Sequence, residues 1–166
     1  ASAEADTAFW PEEAKDSAEG DVAVTQAVVA HLAAEDPDVV FVQLDEVDHQ
    51  GHLAGFSPTV SEYVGALEVV DGQIGQMIDA VRARSTVDDE DWLIVVTTDH
   101  GGLGVAHGEQ SAEERTIFVI VNGGKARRGH EISPGPGHTA IPPTAVKHLE
   151  LPINPAWGWE TEPFGL

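Results

Sequence analysis

Two short stretches carry most of the side chains able to do chemistry. Asp45, Glu46, Val47, Asp48, His49, Gln50, Gly51 and His52 concentrate carboxylates and imidazoles. Thr97, Thr98, Asp99, His100, Gly101 and Gly102 place an Asp-His pair before two glycines, which let the backbone turn sharply. His107, Gly108 and Glu109 form a third group. The chain has no cysteine, so thiolate metal sites, disulfides and cysteine nucleophiles are excluded, and histidine and carboxylate remain as the strong ligands. Those donors suit hard or borderline divalent cations, and a site open to substrate keeps about three or four protein ligands. Three such loops could furnish two sites. Taken singly, each has an ordinary structural reading. An Asp-His pair before glycines also makes a capped turn, Asp45 and Glu46 also read as solvated loop carboxylates, and His107 as a hydrogen-bonded loop residue. His31, His130 and His148 read as surface histidines.

The elements that must position these loops follow from periodicity. Val22, Thr25, Val28, Val29 and Leu32 recur at helical spacing and predict a helix capped by Asp21 and ending near Glu35, before Pro37. Val39, Val40, Phe41, Val42 and Leu44 form the apolar run of a strand buried on both faces. Tyr63, Val64, Leu67, Val70, Ile74, Met77, Ile78 and Val81 trace one stripe of a helix from Ser61 to Arg84. Trp92 to Thr98 and Thr116 to Asn122 read as two more strands, and Thr144 to Leu149 as a short helix whose start is marked by Pro142 and Pro143. This order predicts an α/β layered sandwich with a mostly parallel central sheet, its ligands gathered beyond the carboxyl ends of the strands. Residues 1–20 read as an acidic lead, expected to be poorly ordered, and residues 21–166 as one domain able to bury a core.

Eight basic residues against 29 acidic ones give a formal charge of -21. Such a surface repels nucleic-acid backbones and anionic membranes, so nucleic-acid binding is not expected. It fits a protein kept soluble in concentrated salt, and equally an ordinary acidic surface. No apolar stretch approaches the ~20 residues of a membrane-spanning helix. Ala1 to Ala8 shows no basic start followed by an apolar run, so no signal peptide is expected there.

Asp48-His49-Gln50-Gly51-His52-Leu53-Ala54-Gly55 resembles the D-x-x-G-H-x-x-G motif of nucleotide pyrophosphatases/phosphodiesterases in the alkaline phosphatase superfamily. Val70-Asp71-Gly72-Gln73-Ile74-Gly75, in the following helix, also resembles that family. Thr98-Asp99-His100-Gly101-Gly102 is similar to its S/T-D-H-G motif, and Ala106-His107-Gly108 to its later histidine loop. The segment from His138 through Pro142-Pro143-Thr144 to Trp157 looks like the carboxyl end of phosphatase-like and sulfatase-like members.

The resemblance implies that Asp48, His52 and His107 hold one divalent metal and that Asp99 and His100 hold a second. Zinc is the first choice and manganese the next. Asp45 and His49 repeat the Asp-to-His spacing and become supporting residues or alternative ligands, and His138 is a further candidate. The implied activity is hydrolysis of a small anionic phosphate ester, a diester, pyrophosphate or monoester, through a two-metal mechanism with a covalent phospho-enzyme. The family's Thr or Ser nucleophile comes from an earlier strand with no counterpart here. The catalytic nucleophile is therefore expected to be missing from this chain, Thr97 and Thr98 being poor substitutes, and Ala1 reads as a truncation point in a partial domain. The family is often secreted or periplasmic. A mutase of the phosphoglycerate or phosphopentose type shares these motifs and is the closest rival. A sulfatase fits less well, and a non-catalytic metal-binding or interaction domain is the alternative from another class.

Overall fold

The computed structural model describes residues 6–166. The chain is a mixed α/β structure that divides into two compact units. The first runs to Asp88 and takes in Leu103–Ala106; the second comprises Asp89–Gly102 and His107–Leu166. Residues 1–5 of the acidic lead lie outside the described residues.

The first unit is helical. Helix α1 spans Ser17–Ala34 and starts earlier than expected, because Asp16 rather than Asp21 is its cap: the Asp16 carboxylate accepts the Glu19 N–H at 2.9 Å. Its end before Pro37 is as expected. Asp21 instead lies inside α1, only 3% exposed, on a buried face with Thr25 and Leu32. Its two oxygens accept the N–H groups of Asp45 and Glu46 at 2.8 and 2.9 Å.

Those two bonds explain the main departure from the expected fold. Asp45 to His52 is not a loop after a strand but the start and body of helix α2, Glu46–Ala54. No side chain caps α2 from its own sequence, and Asp21 satisfies two of the donors left open at its amino end. Glu46 and Asp48 in the first turn and His52 in the last suit the helix dipole. The helix stops at buried Gly55, whose φ of 121° only glycine adopts readily.

Val39 to Leu44, expected as a doubly buried strand, joins no ladder among the described residues, and Val39 and Phe41 are 63% and 87% exposed. Apolar β-type residues make a strand only when a neighbour takes up their backbone groups. Helix α3, Ser61–Arg82, follows its predicted span closely and packs on α1 and α2. Just beyond it, Arg84 turns back to the end of α1, its guanidinium donating to the carbonyls of Leu32 (2.5 Å) and Glu35 (2.8 Å) and to Asp36 (2.8 Å).

The second unit holds strands β1, Leu93–Thr97, and β2, Val119–Gly123, paired antiparallel from Leu93 opposite Gly123 to Thr97 opposite Val119. The expected mostly parallel sheet is not what joins them. The helix in the 98–118 connection is the single-turn α4, Ala112–Arg115, not the longer crossover helix that usually links parallel neighbours. Helix α5, Ile141–His148, lies where a helix was expected but starts three residues earlier, taking the two prolines into its first turn, and touches β1. Thr144, fully buried, ties α5 down by donating to the Ala140 carbonyl at 2.7 Å and accepting the Phe164 N–H at 3.0 Å. Among the described residues Leu32, Ala66, Val81 and Ala140 are the buried hydrophobic side chains, with Pro143 fully buried beside Thr144, a thinner core than composition suggested. No helix among the described residues is long and apolar enough to cross a membrane.

Candidate metal centres

In α2 the i, i+4 spacing puts Asp48 and His52 on one face, with His52 Nε2 3.4 Å from Asp48 Oδ2. His52 Nδ1 lies 2.9 Å from the Val105 carbonyl, within the same unit. A carbonyl only accepts, so Nδ1 carries the proton, and in the neutral ring the Nε2 lone pair faces the carboxylate. The pair is an ion pair when Nε2 is protonated and offers two ligand atoms to a cation when it is not. This is the arrangement that orients metal-binding imidazoles, the second nitrogen fixed by a backbone carbonyl.

Phe56 holds this corner. Its ring meets those of His52 and Tyr63 edge to face, with centroids 5.4 and 5.7 Å apart, and its N–H donates to Gly104 at 2.8 Å. The ring lies over Gly51, where a Cβ would come within 2.3 Å of it. Burial, and secondarily the Asp48 charge, push the Tyr63 hydroxyl pKa up. Asp45 and His49 are exposed, and the Asp45 carboxylate accepts from the Gln43 amide at 2.8 Å.

Beyond β1, Asp99 accepts the His100 N–H at 3.1 Å, and its other oxygen lies 3.7 Å from His100 Nε2. His100 Nδ1 is 2.8 Å from the Gly101 carbonyl, so here too Nδ1 carries a proton, and Nε2 is the nitrogen on the aspartate side. The His107 ring stacks on that of His100 at 3.7 Å between centroids. The structure thus brings together Asp48 with His52, and Asp99 and His100 with His107. His138 is exposed at the 3₁₀ turn His138–Ala140 before α5. His148, read as a surface histidine, is bound through Nε2 to the Asp91 carbonyl at 2.6 Å.

Glu114 organises the second group and was not singled out from sequence. It is 7% exposed. Its carboxylate accepts the N–H of Glu109 and of Ser111, each at 3.0 Å, and the Ser111 hydroxyl at 2.5 Å, while its carbonyl accepts the Gly101 N–H at 2.8 Å. The hydrogen bonds from Ser111 and Glu109 hold its pKa below the ordinary glutamate value, with the nearby His107 adding a little. The Ser111-x-x-Glu114 spacing of a capping box was the available signal. Gly101 has no room for a side chain, since a Cβ would sit 2.1 Å from the Glu113 carbonyl oxygen.

These donors fit borderline divalent cations: aspartate oxygens and imidazole Nε2 atoms whose ring tautomers are fixed from behind. Thr97 is ill placed as a nucleophile, its hydroxyl donating to the Phe118 carbonyl at 2.7 Å across the sheet. Compared with known families, the chain matches the type I phosphodiesterase / nucleotide pyrophosphatase model over residues 4–145. No solved structure matches it.

Proposed function

The chain belongs to the type I phosphodiesterase / nucleotide pyrophosphatase family, and from that premise we propose that it supplies the metal-binding part of a hydrolase of small phosphate esters. Asp48, His52 and His107 hold one divalent cation, and Asp99 and His100 hold a second. Zinc is favoured by the imidazole content, with manganese next. The observation that carries this reading is that His52 and His100 each have Nδ1 on a backbone carbonyl and Nε2 turned toward an aspartate. Bound dications supply positive charge for an anionic ester that a surface of formal charge -21 would otherwise repel.

The residues themselves contribute position. Phe56 and the Val105 carbonyl fix the plane of His52, and the Gly101 carbonyl and the His107 ring fix that of His100. No nucleophile is assigned within the chain, so it is expected to bind metal without turning over an ester. Asp45, His49 and His138 are held in reserve as supporting groups.

Elemental analysis of purified wild type, His52→Ala and Asp99→Ala tests the assignment. About two zinc or manganese ions per chain, lost one at a time in the variants, is the expected result. Absence of metal from the folded wild type would overturn it. Hydrolysis of a chromogenic phosphodiester by this chain would show that the nucleophile lies within it after all.

A further inference from the structure

Glu114 does more than cap α4. A capping box accounts for its exchange with Ser111, but not for its two other bonds. Its side chain holds the N–H of Glu109, two residues after His107, and its carbonyl holds the N–H of Gly101, one residue after His100. One buried residue thus grips the chain beside both histidines, whose rings it leaves stacked at 3.7 Å. The three donors on its carboxylate require an acceptor without a hydrogen of its own, which excludes an amide as an equal substitute.

We propose that Glu114 is a positioning residue that sets His100 and His107 for the two cations, so that closure of its clamp and cation binding favour each other. This rests on the two-cation reading above. Coupling of this kind is reciprocal: if the clamp strengthens cation binding, bound cation must tighten the clamp.

Two measurements test it. The first titrates zinc into wild type, Glu114→Gln and Ser111→Ala, with denaturation curves confirming that each is folded. Glu114→Gln is expected to weaken zinc binding by about tenfold or more, as loss of an orienting partner does. Ser111→Ala removes the cap hydroxyl but keeps the Glu109 and Gly101 bonds, so it should lower stability while leaving affinity near wild type. Wild-type affinity in folded Glu114→Gln, or an equal loss in Ser111→Ala, would overturn the proposal. The second needs no variant: amide hydrogen exchange of wild type with and without zinc. Slower exchange at Gly101 and Glu109 on zinc binding is expected. Zinc bound with those amides unchanged defeats the clamp and leaves the metal sites standing, whereas no zinc bound defeats the two-cation reading itself.

Discussion

At Gly51 the limiting factor is space. A methyl group there would meet the Phe56 ring at 2.3 Å, and the ring cannot withdraw without losing its contacts with His52 and Tyr63. Gly51→Ala is therefore expected to cost about 1–3 kcal/mol, the usual range for overpacking, measured by urea denaturation. The sequence marked Gly51 through its motif, but not Phe56, because nothing in a Gly-x-x-x-x-Phe spacing says that the ring folds back over the helix. The same holds at Val105, where the functional group is a backbone carbonyl and carries no residue signature. Glu114 adds a pH dependence. Its hydrogen bonds lower its folded pKa, so its contribution to stability is present above the unfolded glutamate value and falls away as pH drops through the lowered one. Stability curves of wild type and Glu114→Gln should thus differ most near neutral pH and converge in acid. A constant difference down to the acid limit would show that the carboxylate charge is not what matters.

Among the elements, α1, α3 and α5 were readable because their signals are local: apolar spacing, a following proline, prolines in a first turn. Helix α2 was not, since the group that caps it, Asp21, is remote in sequence and reaches it only after α1 has packed. The Val39 to Leu44 run failed for the complementary reason: β-type side chains were present, but a strand is a property of a pair. The end of α1 shows the same dependence on distant residues. Arg84 supplies the donors for the Leu32 and Glu35 carbonyls, with its side chain 6% exposed. Arg84→Ala leaves both carbonyls without those bonds and should cost about 2 kcal/mol in chemical denaturation. Lysine should restore only part of this, because a single ammonium does not reproduce a planar fork that reaches three acceptors. A loss within error would mean that the end of α1 is adequately solvated without Arg84.

For the whole molecule, two features oppose each other. The formal charge of -21 keeps chains apart and strains the folded state by self-repulsion, whereas Val39, Phe41, Phe118 and Ile120 leave apolar side chains in water. Composition gave the charge directly and misled about the core, because it counts apolar residues without saying which find partners. Salt separates the two effects. The screening length falls from about 10 Å at 0.1 M to about 3 Å at 1 M, so added KCl removes repulsion both within a chain and between chains while hydrophobic attraction persists. From low to molar KCl the thermal midpoint is therefore expected to rise. In sedimentation velocity the mean mass should climb from that of a single chain, and Phe41→Ser should blunt that climb more than it changes the midpoint. A midpoint indifferent to salt would mean that the acidic surface is no burden on folding. A single-chain mass at every salt concentration would mean that the exposed apolar side chains are too scattered to bring two copies together.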